Sequence, residues 1–213
     1  MLHDPAHSCR KVTPHSAATM IGIGGGSASG KTLLAHALAS AAQAAILSQD
    51  AYYRDGLSAA HNFDDPECIE WAELERHLSQ LRGGNRVFTP QYNFVTHMRV
   101  KDGGRLVDPA GVILVEGLHV LARPEIRRLM QLALYVHTPP DLRLLRRIRR
   151  DIADRGRSVA SVMERYESHV RPMHLQHVEP SRCRADLVVD GTLGVNENMR
   201  MIHAFAGARG IEL

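Results

Sequence analysis

The chain has 213 residues, 44% of them hydrophobic and 23% charged, with 26 Lys plus Arg against 23 Asp plus Glu and a formal net charge of +3. That length suits one α/β domain with a full core rather than two, and the near balance of charge argues against a protein that grips nucleic acid by bulk positive charge. Cys9, Cys68 and Cys183 form neither a C-x-x-C motif nor a disulfide framework, and no apolar run reaches the length of a membrane span, so a protein of the reducing cytoplasm with no membrane attachment is expected.

Residues 1–17 are polar, lack the apolar stretch of a secretory signal, and read as a flexible leader to a domain covering 18–213. The short apolar run 20–23 then leads into GIGGGSASGKT, and a helix-prone LLAHALASAAQAA follows. Inside it, Gly25, Gly30, Lys31 and Thr32 make G-x-x-x-x-G-K-[ST] in the strand–loop–helix setting that a phosphate-binding P-loop requires. Backbone N–H groups across Gly24, Gly25, Gly26, Ser27, Ala28, Ser29 and Gly30 would converge on phosphate oxygens, helped by the positive end of the next helix. Lys31 would reach the β- and γ-phosphates, and Thr32 would offer its hydroxyl to Mg²⁺.

Further apolar runs at 44–47, 112–115, 132–136 and 187–189 alternate with helical patterns, which predicts a parallel sheet flanked by helices. The second run ends in ILSQD and the third in VILVEG, so Asp50 and Glu116 are expected at the carboxyl rim of the sheet, where ligands sit in such folds. Asp50 is a candidate general base toward an attacking hydroxyl or a water-mediated metal contact, and Glu116 a candidate Mg²⁺ ligand, direct or through water. Asp65-Pro66 predicts the start of a helix running through WAELERHLSQL to Gly83-Gly84, and Pro124 and Pro140-Asp141 open two more. Residues 86–108 break the alternation and read as an antiparallel hairpin appended to the sheet, with a turn at Asp102-Gly103-Gly104.

The stretch DLRLLRRIRRDIADRGRS, 141–158, predicts a helix ending at Gly156. Arg143, Arg146, Arg147 and Arg150 share one face of it and Arg149 does not. A nucleic-acid stripe, a solvated face paired with Asp151 and Asp154, and a lid that closes guanidinium groups over phosphates are the three readings open at this point. His174 and His177, the only close histidine pair with ligand-like spacing, are expected on a solvated helix face.

Taken in order, GIGGGSASGKT, LSQDAYYRD, NFDDPE, PQYNFVTHMR, VILVEGLHVL, RRIRRDIADRGRS and RPMHLQHVEPSRCRADLVV resemble the uridine kinase (uridine-cytidine kinase) family of P-loop nucleoside kinases, from about residue 20 to 191. The resemblance implies Mg²⁺-dependent transfer of phosphate from ATP or GTP to the 5′-hydroxyl of uridine and cytidine, in pyrimidine salvage. It implies that Asp50 is the catalytic carboxylate, Asp64 the ribose-binding one, and Tyr53 its neighbour in the nucleoside site. Tyr92 and His97 match residues that read the pyrimidine edge, and Phe63 and Phe94 match apolar contacts to the base. Arg147 and Arg157 match substrate-binding arginines, and Arg150 and Arg155 phosphate-facing lid residues. A homo-oligomer, a tetramer in many relatives, and small-molecule rather than nucleic-acid or membrane partners are implied as well.

Three positions depart from the family pattern: Arg165 where a glutamine is common, Asn93 where an aspartate is common, and a tail LVVDGTLGVNEN without P-R-G. The alternatives are a P-loop kinase with another acceptor, as in phosphoribulokinase or pantothenate kinase, and an ATP-dependent nucleic-acid-binding module. A GTP switch would need N-K-x-D, which the chain lacks.

Overall fold

In a computed structural model, residues 18–58 and 61–213 are described, so the expected leader lies outside them. Strand β1 (Thr19–Gly25) is buried on both faces, as a central parallel strand must be. Helix α1 (Lys31–Ala42) follows, then β2 (Ala45–Ser48) and a short 3₁₀ turn, Gln49–Tyr52.

The next segment corrects the expected long helix. Asp65 caps only a 3₁₀ turn, Pro66–Cys68, by accepting from the Glu67 N–H at 2.8 Å, and helix α2 starts afresh at Trp71–Arg82. Between them the backbone pairs with the strand-two loop instead: Arg54 N–H donates to Cys68 O and Glu70 N–H to Tyr52 O, both at 2.8 Å, around a Tyr53–Ile69 bridge. Tertiary pairing has overridden local helix propensity. Trp71, the only tryptophan in the chain, donates its indole N–H to Pro66 O at 2.7 Å and stacks under the Arg123 guanidinium.

The hairpin region forms two separate two-stranded ladders: β3 (Val87–Thr89) with β6 (Arg105–Val107), and β4 (Tyr92–Asn93) with β5 (Met98–Arg99). Neither joins the central sheet, and the tip is Phe94–His97, not Asp102-Gly103-Gly104, which kinks the return arm. The Asn93 side chain makes the tip by accepting from the Val95 and Thr96 N–H groups. Arg99 fixes the arm to the body through Tyr53 O at 2.9 Å and Glu73 at 2.8 Å.

Strands β7 (Val112–Glu116) and β8 (Leu132–His137) bracket the short helix α3 (Pro124–Arg127). Helix α4 (Pro140–Arg155) ends at Gly156 in the left-handed region, as the sequence predicts. Next come α5 (Val159–Arg165), two wide π turns flanking α6 (Arg171–Met173), β9 (Leu187–Asp190) and α7 (Val195–Gly207). The five long strands are all parallel in the order β2-β7-β1-β8-β9.

Alternation along β1 sorts the core. Ile21 and Ile23 pack with Leu34, Leu38 and Ile202 on the side of α1 and α7, while Met20 packs with Trp71, Leu74 and Tyr135 on the other. His174 is not on a solvated face: it is mostly buried, and its neutral ring accepts from Arg143 at 3.0 Å. Burial, then Arg143, push its pKa down to about 4. No helix among the described residues is long and apolar enough to cross a membrane.

Gly104 has φ +142°, and a side chain there would run into Thr89 O and the Phe88 ring. Gly104→Ala is therefore expected to destabilise by roughly 2 kcal/mol, lowering Tm by about 4–8 °C. Thermal unfolding checks it, and an unchanged Tm would show that the return arm does not pack on β3 as described.

Candidate active site

β1 runs straight into the phosphate loop, and its last residue, Gly25, has φ +146° with Val136 O only 2.6 Å from where a Cβ would stand. Only glycine tolerates that turn. Ser29 N–H closes the loop on Gly26 O, and α1 begins at Lys31 behind Gly30 with no side-chain cap. An uncapped N-terminus behind a tight glycine turn leaves helical N–H donors for an anion. Gly26 also admits the Arg143 guanidinium, which a Cβ there would meet at 2.5 Å, while Gly24 sits inside β1 beneath Leu121 and acts in packing.

Three acidic groups converge on this loop. Glu116, at the end of β7, is 2% exposed, and its carboxylate accepts from Ser48 Oγ at 2.5 Å and Thr32 Oγ at 3.2 Å. Burial holds its pKa above the usual carboxylate range and Asp50 adds to this, against Lys31 and the two hydroxyls. Asp50 sits in the turn after β2, where the buried Gln49 locks the backbone by accepting from the His119 N–H at 2.8 Å. Asp64 is held by its main chain, its N–H on Asn62 Oδ1 and its carbonyl on His119 Nε2. Burial raises its pKa, opposed by Arg147.

Among the described residues no three His, Cys, Asp or Glu side chains form a metal cage. The oxygen set of Thr32, Ser48, Asp50 and Glu116 still fits Mg²⁺, which takes one or two carboxylates, keeps waters and completes its shell with phosphate.

A cavity of about 50 Å³ joins Lys31, Asp50 and Asp64 to Tyr53, Phe63, Phe94 and His97, with Arg147, Arg150, Arg155, Arg157 and Arg165 on its far wall. Phe63 and His97 stack at 4.6 Å, and Tyr53 meets Phe63 and Phe94 edge-on at 5.9 and 5.7 Å. Burial, then Arg157 and Arg165, lower the pKa of His97 and favour its neutral form. Tyr92 backs Tyr53 and Phe94 at 5.0 and 5.2 Å and, with Asp50 and Phe94, lines a neighbouring cavity of about 430 Å³. A third cavity, of about 410 Å³, opens behind the loop between Gly30, Leu34, Arg146, Val195 and Asn198.

The arginines have an organiser that the sequence reading passed over as a local partner. Asp151 is fully buried on α4, and Arg147, Arg150, Arg155 and Arg157 lie 3.5, 2.8, 3.4 and 3.4 Å from its carboxylate. Arg147 also donates to Ser27 Oγ in the phosphate loop at 2.8 Å, and Arg155 lies 4.5 Å above the Phe94 ring at the hairpin tip. Arg149 is exposed, as its helical phase requires. The arrangement is a lid that touches both the loop and the hairpin.

A sequence profile of the phosphoribulokinase / uridine kinase family matches residues 20–196. The chain belongs to that family. It is 44% identical over 182 residues to a uridine kinase of Chloroflexus aurantiacus, covering 81% of this chain and 86% of the relative. It is 38% identical over 199 residues to a uridine kinase of Proteus mirabilis, covering 87% and 89%. In fold it is similar to a possible uridine kinase of Bacillus stearothermophilus, with TM-score 0.60 and 19% identity over 84% of this chain and 92% of that one. The phosphoribulokinase of Rhodobacter spheroides gives TM-score 0.59 and 20% identity over 82% and 70%.

Burial alone would raise the pKa of Asp151, but Arg147, Arg150 and Arg155 outweigh it and depress the folded-state value. Its stabilising contribution is thus present above the unfolded value, about 3.9, and is lost as pH falls through the lower folded value. Asp151→Asn, which leaves four guanidinium groups without their carboxylate, is expected to cost about 3 kcal/mol at neutral pH, with the gap to the unmodified chain closing below about pH 4. Tm measured against pH for both proteins checks the sign and the window.

Proposed function

We propose that this chain is a uridine/cytidine kinase: a single kinase domain, 18–213, that transfers the γ-phosphate of ATP or GTP to a nucleoside 5′-hydroxyl in cytoplasmic pyrimidine salvage. The observation that carries the reading is the convergence of Asp50, Asp64 and Lys31 in one cavity between the glycine loop, the lid arginines and an aromatic hairpin. Uridine kinases at 44% and 38% identity over most of the chain support the same acceptor.

In this reading Asp50 takes the proton from the attacking hydroxyl, and Asp64 accepts hydrogen bonds from the vicinal ribose hydroxyls. Neutral His97 meets the polar edge of the pyrimidine, and Tyr53, Phe63 and Phe94 hold its faces. Lys31, Arg147, Arg150, Arg155 and Arg157 neutralise charge on the transferred group, and the loop N–H groups from Gly26 to Thr32 hold the remaining phosphates. Mg²⁺, held through Thr32 and Glu116, would supply charge neutralisation to the donor's phosphates when bound. The cavity behind the loop suits the purine of the donor. As in many relatives, the working form would be a homo-oligomer, and its partners nucleosides and nucleotides, not nucleic acid or membrane.

A coupled assay of nucleotide turnover against uridine, cytidine, deoxycytidine, adenosine, pantothenate and ribulose 5-phosphate is expected to respond to the two pyrimidine ribonucleosides and to overturn the reading if another acceptor dominates. Asp50→Ala is expected to lose at least about 100-fold in kcat while nucleotide affinity is kept. Near-normal turnover by that variant removes Asp50 from the chemistry.

A further inference from the structure

His119, two residues past the Gly117 turn that follows Glu116, is 1% exposed and lines a small cavity with Asp64 and Ser27. Its ring Nε2 lies 2.9 Å from the main-chain carbonyl of Asp64, 55 residues away in the chain. A carbonyl can only accept, so the ring must carry its proton on Nε2 and leave Nδ1 bare. Nδ1 accordingly has no partner in its buried surroundings. Burial lowers the pKa of the ring to about 4, so this tautomer is not replaced by the cation near neutral pH.

The other tie on Asp64 is its N–H to Asn62 Oδ1 at 3.1 Å. Both ties grip the peptide groups of Asp64, and the carboxylate is left to the cavity it lines with Asp50 and Lys31. The Asn62 tie is local to the loop, whereas His119 joins that loop to the strand-end turn that also carries Glu116. Through its own N–H on Gln49 Oε1, His119 is further tied to the residue before Asp50.

We infer that His119 is a positioning residue for ribose recognition: its ring N–H fixes the Asp64 peptide so that the carboxylate meets both vicinal hydroxyls, and so sets discrimination against 2′-deoxyribonucleosides. This deepens the kinase reading above and rests on its assignment of Asp64 to the sugar. Two hydrogen bonds to one carboxylate require alignment that a loop tied on one side only does not keep, and displacements near 1 Å at such sites can cost about 100-fold.

The test compares His119→Gln, whose amide N–H reaches the place of Nε2, with His119→Asn, whose amide stops near the place of Nδ1. For each, kcat/KM is measured on uridine and on 2′-deoxyuridine, with Tm alongside. The glutamine variant is expected to keep the ribo/deoxyribo ratio within about threefold, and the asparagine variant to lower it by about tenfold, chiefly through a raised KM for uridine. A merely structural role would lower Tm and act equally on both substrates, so an unchanged ratio in a folded asparagine variant overturns the inference. So does a glutamine variant that loses the ratio, and this arm decides alone should the asparagine variant not fold. If the unmodified protein turns over nucleosides but does not discriminate, it is the assignment of Asp64 that fails, and with it the inference; if it turns over no nucleoside, the kinase reading itself fails.

Discussion

Glu116 is the carboxylate on which three separate chain segments meet. Its two oxygens take the Thr32 hydroxyl at the start of α1 and the Ser48 hydroxyl at the end of β2, from a position at the end of β7 that is almost wholly out of water. A buried carboxylate without partners is expensive, so these bonds constrain where the loop and both strand ends can lie. The parallel pairing of β7 with β1 on one side and β2 on the other brings the partners into register, Ser48 opposite Glu116 and Glu116 opposite Ile23. The site's geometry follows from this junction, and Gln49 and His119 extend it by one further layer each.

The lid depends on the opposite sign of charge. Four guanidinium groups on one dehydrated carboxylate leave a net excess of positive charge facing the glycine loop, which suits a polyanion and would be self-repelling without Asp151. Arg147 and Arg155 carry that charge to two surfaces at once, the hydroxyl of Ser27 and the ring of Phe94. The loop side and the hairpin side of the cavity are therefore coupled through a single helix.

Much of this was legible in the sequence because its signals are local. The five strands stand within two residues of their expected ends, since fully buried parallel strands read as continuous apolar runs. Gly25, Lys31, Thr32 and the Gly156 stop depend on adjacent residues and were readable for that reason. What could not be read depends on partners far away in the chain. Nothing near Cys68 announces that its backbone will pair with Arg54 and interrupt a well-capped helix. Asp151 looked like one acid among many arginines until the fold closed solvent off around it. His119 gave no signal at all, because its partner is a main-chain carbonyl, to which any sequence is blind.

The lone tryptophan has a use that its packing role conceals. Trp71 opens α2 directly after the segment carrying Asp64, hydrogen-bonds the backbone of that segment at Pro66 and lies under the Arg123 cation. An indole in that position is a native optical probe of the loop that carries Asp64, uncontaminated by any second fluorophore of its kind. Movement of that loop can thus be followed by light in the unlabelled protein.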